Sequence, residues 1–247
     1  MRLLLINPNI SDSVTALIEA EARRAASPDT GLTALTAPFG VAYIETRFEA
    51  LIGGYATACV AAEHWHGHDA VIVAAFGDPG LAALREAIPV PVLGMSESAL
   101  MSACMLGTRF SIVAISRRIV GWYRETVHAC GLSERLASIR FLDTPLRDVG
   151  SVQSDHEAAL QALCARAVEE DGADVVILAG APLAGLARGI RDRIPVPLVD
   201  GVSSAVRHAE SLAVLRPGRP QAGSFAPPPL KPNRGLPPAL EALLAQR

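Results

Sequence analysis

The chain is predicted to be an α/β protein of two pseudo-symmetric half-domains. Each is a four-stranded parallel sheet flanked by helices, with a site in the cleft between them. Three observations predict this. Short β-rich runs alternate with longer helical ones, the pattern of βα units feeding a parallel sheet. The strand runs are almost continuously apolar, as strands covered on both faces require. One segment also occurs twice: Asp69-Ala-Val-Ile-Val-Ala-Ala75-Phe-Gly-Asp78-Pro-Gly-Leu returns as Asp174-Val-Val-Ile-Leu-Ala-Gly180-Ala-Pro182-Leu, 105 residues later. Its continuation Ile88-Pro-Val-Pro-Val-Leu-Gly94 returns as Ile194-Pro-Val-Pro-Leu-Val-Asp200 at an offset of 106, so one single-residue indel separates the copies.

The elements follow in order. Leu3-Leu-Leu-Ile6 begins a buried strand at 2–6, and Asn9 or Ser11 can cap a helix over 11–26. Strands near 32–36, 70–75 and 91–94 alternate with helices over 46–65 and 79–87, the latter opened by Pro79, which fits a first helical turn. A helix over 96–106 leads to the second set, with strands near 110–115, 139–142, 174–179 and 197–199. Helices over 118–130, 154–170, 183–192 and 201–213 accompany these. Half-domain one is placed at 1–97 plus 205–215, with the last helix returning to it, and half-domain two at 98–204. Residues 216–247 form a Pro-rich C-terminal extension that cannot hold a regular element until a short helix at Pro237-Pro-Ala-Leu-Glu. A disordered extension and a subunit-clasping arm are the two readings of it.

Composition narrows the function. Of 247 residues half are hydrophobic and 19% charged, ample for buried cores. A net charge of −3 and scattered basic residues give no case for nucleic acid. The longest apolar runs, such as Ala70 to Phe76, fall far short of the roughly 20 residues a membrane span needs. The N-terminus is too soon interrupted to be a signal peptide. Cys59, Cys104, Cys130 and Cys164 show no Cys-x-x-Cys pairing, so a reduced, cytoplasmic setting is expected. No G-x-G-x-x-G, G-x-x-x-x-G-K-[ST] or G-x-S-x-G pattern occurs, which argues against nucleotide and serine-hydrolase chemistry. His64-Trp-His-Gly-His68 looks like a metal box, yet it precedes a strand, Gly67 breaks its helix and no fourth ligand is apparent. No metal is expected.

Ligands of parallel sheets sit at the carboxyl ends of strands. Asn9 follows strand one, beside a helix start whose free N–H groups attract anions. Tyr43 and Glu45 follow strand two, and Ala75-Phe76-Gly77-Asp78 strand three. Ser96 and Glu97 follow strand four, Arg117 and Arg118 strand five, and Gly180-Ala181 strand seven. Asp143 and Asp200 end strands six and eight. Acid, base or anion-anchor roles are open to these side chains; Asp78 and Asp200 also suit helix caps.

Taken together, Ile6-Asn-Pro-Asn9, Phe39-Gly40 with Ile44-Glu45, Phe76-Gly-Asp-Pro-Gly80 and Asp200-Gly201-Val resemble the hydantoin racemase branch of the aspartate/glutamate racemase superfamily. The resemblance covers about residues 1–213. It implies a cleft between two half-domains, no cofactor, a small-molecule substrate and homo-oligomers. It also implies two cysteines that remove and return a proton beside a carbonyl. Their positions fall at Ala75 and Gly180, and Ile10 stands where a Thr is usual. Neither Ala nor Gly moves a proton. Three readings follow: an enzyme on this scaffold whose chemistry has diverged through an enolate-like state (lyase, decarboxylase, hydrolase or cyclase), a racemase inactivated at its two cysteines, or a non-catalytic small-molecule binder. In the first, Tyr43, Glu45 and Asp78 are the catalytic candidates. Asn9, Ala75, Phe76, Gly77, Ser96, Glu97, Arg118, Gly180 and Ala181 then contact the substrate.

Overall fold

The computed structural model describes residues 1–144 and 148–246. Two four-stranded parallel sheets carry the chain. The first has the order β2-β1-β3-β4, built from β1 (Arg2–Asn7), β2 (Gly31–Thr36), β3 (Ala70–Val73) and β4 (Val92–Gly94). The second repeats it as β6-β5-β7-β8, from β5 (Phe110–Ala114), β6 (Leu136–Phe141), β7 (Val175–Leu178) and β8 (Leu198–Asp200). Registers match as well: Leu3 pairs with Leu32 and Ala70 in the first sheet, Phe110 with Leu136 and Val175 in the second.

The continuous apolar runs are explained by burial on both faces. Leu3 and Leu5 pack into one core cluster with Val14, Ile18 and Ile72, while Leu4 and Ile6 pack into another with Val60, Val71 and Leu84. In the second sheet Ile112 and Ala114 point one way, and Val113 and Ile115 the other, toward Leu160 and Cys164. The cluster that holds Leu3 and Leu5 also holds Ile112, Val175 and Ile177, so the halves share a core.

The helices are α1 (Asp12–Ala25), α2 (Arg47–His64), α3 (Leu81–Ala87), α4 (Met95–Leu106), α5 (Val120–Ala129), α6 (Val152–Glu169), α7 (Leu186–Ile190), α8 (Gly201–Leu215) and α9 (Pro238–Ala245). Ser11 caps α1, and Thr46 with Glu49 forms a capping box on α2. Two expected helices are shorter or broken. α3 begins two residues late because Gly80 takes φ 83 as its N-cap. The expected helix over 183–192 splits at Gly185, whose φ of 84 stops one 3-10 turn (Ala181–Leu183) before α7 starts. α8 packs on α1, α4, β3 and β4. The Pro-rich extension turns back to its own chain, where α9 lies on α2 and buries Leu243 beside Val60 and Leu84. No helix among the described residues is long and apolar enough to cross a membrane.

Candidate active site

Every loop that sequence reasoning placed at a strand end lies at the carboxyl edge of its sheet. Most of the candidate side chains build the cleft rather than line it. Asn7 is buried and its Nδ2 donates to Asn9 Oδ1 at 3.0 Å, to the Ser11 carbonyl at 3.1 Å and to Thr15 Oγ1 at 2.9 Å. Asn9 Oδ1 also accepts the Ser11 N–H at 2.9 Å, which folds the loop over the start of α1.

The Phe76–Gly80 loop is fixed from below. Asp78 sits at φ 47, a left-handed conformation unusual outside glycine. Its two carboxylate oxygens accept the N–H groups of Ser96 at 2.8 Å and Glu97 at 2.9 Å. Asp78 therefore caps α4, eighteen residues on, and not the helix it precedes. A side chain at Gly94 would run into this carboxylate, so glycine there makes the contact possible. Burial pushes the Asp78 carboxyl up to about 7 against the lowering effect of those hydrogen bonds. Ser96 is buried and its Oγ accepts the Gly77 N–H. Glu97 turns outward to pair with Arg85. These three side chains hold the loop in shape.

Above the loop lies an aromatic wall. Trp122 covers Gly77 so closely that a Cβ there would lie 2.1 Å from Trp122 Cζ2. Tyr123 packs its ring on Phe76 with centroids 4.7 Å apart. A Cβ on Gly180 would lie 4.0 Å from the Tyr123 hydroxyl and 3.6 Å from Pro182 Cδ. Tyr123 thus connects the Ala75–Phe76 corner of one half with Gly180 of the other. Ala181 is buried in the shared core. Sequence reasoning missed both Trp122 and Tyr123, which sit in the first turn of α5 with no motif around them.

Tyr43 packs beside Ile115 and Leu142, on the second half's other core cluster. Its hydroxyl is buried and has no hydrogen-bond partner among the described residues. Burial pushes this phenol well above its usual value, with the Tyr123, Glu45 and Glu49 charges adding to the effect. Burial raises the Tyr123 phenol too, helped by Asp78. Both are therefore neutral donors near pH 7 and not bases. Tyr43 and Glu45 line a cavity of about 450 Å³ with Ser116, Arg117, Asp143, Thr144 and three apolar residues. This cavity draws on loops after β2, β5 and β6, hence on both halves. The arginine that lines it is Arg117; what Arg118 contributes is a backbone N–H to Ser116 Oγ at 3.2 Å. Glu45 is held by its own N–H, donated to Glu49 Oε2 at 2.8 Å.

The remaining candidates lie elsewhere. Asp200 caps α8 through the Ser203 N–H at 2.9 Å and accepts the Gly185 N–H at 2.7 Å; burial raises its pKa. His68 is buried against Thr33, and His66 stacks on Trp65 at the amino end of β3. The described residues hold no group of three or more side chains able to bind a metal. All four cysteines lie in or at the end of helices: Cys59 in α2, Cys104 in α4, Cys130 after α5 and Cys164 in α6. Burial pushes the Cys130 thiol up to about 11 and the Cys164 thiol up to about 12. Neither is the reactive thiolate form at neutral pH.

The Asp/Glu/Hydantoin racemase family matches residues 3–209 of this chain. A hydantoin racemase of Paenarthrobacter aurescens is 35% identical over 233 residues, 92% of this chain and 98% of that protein. The allantoin racemase from Klebsiella pneumoniae superposes with a TM-score of 0.92 at 34% identity, covering 97% of this chain and 98% of its own. Arylmalonate decarboxylase, at 19% identity and a TM-score of 0.60 over 86% of this chain and 92% of its own, shares the fold. The chain belongs to the Asp/Glu/hydantoin racemase family.

Proposed function

We propose that this racemase-superfamily enzyme acts without a cofactor on a small carboxylate, amide or cyclic imide, through an enolate-like state and without a pair of catalytic thiols. The observation that carries the reading is a pair of buried phenols: Tyr123, packed on Phe76 and 4.0 Å from where a side chain at Gly180 would begin, and Tyr43, whose unpartnered hydroxyl is close enough to feel it. A buried hydroxyl without a partner costs about 1–3 kcal/mol. A ligand oxygen that accepts from Tyr43 recovers this, most strongly when it carries developing negative charge. Glu45, in the same wall, takes the proton from the carbon next to the carbonyl, and the electron pair moves onto the carbonyl oxygen. There both phenols donate to it. Glu45 then returns the proton to the carbon and the carbonyl reforms; on a substrate with a carboxylate there, the C–CO2⁻ bond supplies the electron pair in place of C–H, CO2 leaves, and the carbon takes its proton from water. Asp78, Ser96 and Gly77 keep the loop in position; Asn9 shapes the loop beside α1.

Gly180 supports divergence over simple inactivation. Its φ of 112 and ψ of 140 belong to glycine, so the backbone here is not one that a cysteine would adopt without strain. The cyclic-imide substrate class is supported by the hydantoin and allantoin racemases to which the chain is similar. Alkylation tests the reading. Turnover of a panel of hydantoins, arylmalonates and amino-acid amides is expected to survive iodoacetamide, because no thiol takes part. Turnover that iodoacetamide abolishes would remove the proposal.

A further inference from the structure

We propose that the cavity beside Tyr43 is a subsite for an anionic side arm of the substrate, anchored by Arg117, so that the enzyme selects compounds with a carboxylate on the group attached to the reacting carbon. The inference rests on the reading of the cleft given above. Tyr43 lines the cavity and is close enough to Tyr123 for the two phenols to feel each other, which puts the cavity beside the proposed reaction centre. An arm leaving the reacting carbon past Tyr43 enters it.

Arg117 is the one cation among the described residues that line this cavity. It takes part in none of the ion pairs among the described residues. Its guanidinium carbon lies 5.8 Å from the Phe141 ring centroid, a contact that steadies the side chain without neutralising it. The guanidinium fork matches a carboxylate in two parallel hydrogen bonds. Ile115, Leu142 and Val149 offer an apolar path for a methylene stem. Glu45 and Asp143 share the wall and repel an acid placed anywhere but against the arginine. Among the described lining residues, a negative end group is therefore drawn to Arg117.

The hydantoins of glutamate and glutamine test this, since their arms match in shape and differ in charge. Binding of each is measured by calorimetry, and exchange of the ring carbon's hydrogen in deuterated water is followed separately. The acid is expected to bind about tenfold or more tighter than the amide, the scale of one charge-assisted contact. Arg117→Ala is expected to bring that ratio to about one. Arg117→Lys, which keeps the charge and loses the fork, is expected to fall between. A ratio near one in the parent enzyme, a ratio that survives Arg117→Ala, or failure of the acid to bind would overturn the subsite. Acid-selective binding without exchange upholds the subsite and removes the enolate reading. Exchange of both compounds at equal affinity does the reverse.

Discussion

Replacing Tyr43 with Phe is expected to lower kcat/KM by about 10²–10³, the loss that follows when one donor of an oxyanion pocket is removed. The same change leaves stability equal or raised, because the hydroxyl is buried with no partner in the free protein and Phe relieves that penalty. Activity lost while stability holds is the signature of a donor; a structural tyrosine loses both. Tyr123→Phe is expected to lower kcat/KM in the same direction, since its hydroxyl lies 4.0 Å from where a side chain at Gly180 would begin. Burial holds both phenols above their usual range, so neither ionises as the pH rises through neutrality. The pH–rate profile is then expected to have no alkaline limb from these groups below about pH 10. Steady-state kinetics and urea unfolding of the two variants check both halves of this result.

Asp78→Ala is expected to destabilise the protein by about 3–5 kcal/mol, read by urea unfolding. It strands the Ser96 and Glu97 N–H groups and leaves Ala in a left-handed conformation. The pH dependence has a definite sign. The folded carboxyl titrates at about 7, above its ordinary value of 3.8. Between those values the native state holds a proton that the unfolded chain has released. Stability from this group is therefore complete below about pH 4 and falls as the pH rises toward 7. Asp78→Asn cannot titrate, so the parent-minus-variant difference in unfolding free energy is expected to decline across that window and to be flat above it. A difference that grows with pH, or does not change, would contradict the assignment.

How much of this was legible in the sequence varies with range. The strands of each half and the duplication of the sheets follow from apolar runs and an internal repeat, both of them local patterns. The placement of Tyr43 and Glu45 in a cavity wall was legible because they follow a strand end. The role of Asp78 was half legible. Asp before Pro reads as a cap for the next helix, yet its partners are amides of α4 that only the fold brings to it. Trp122 and Tyr123 were not legible, since what marks them is contact with Gly77, Phe76 and Gly180, far away in the chain. The choice between Arg117 and Arg118 was beyond sequence for another reason. Neighbouring residues in a 3-10 turn point to different sides, and the register of that turn is set by Ser116. Gly185 breaks an expected helix because a left-handed glycine outweighs the helix propensity around it.

The proposed reaction is carbon-acid chemistry with a proton carrier on one face of the substrate and no thiol on the other. The direct measurement is deuterium uptake against loss of optical rotation for one enantiomer of a 5-substituted hydantoin in deuterated water. A single carrier returns deuterium to the face from which it took the proton, so uptake is expected to outrun the loss of rotation. Rotation that decays in step with uptake would show two opposed proton carriers and contradict the account.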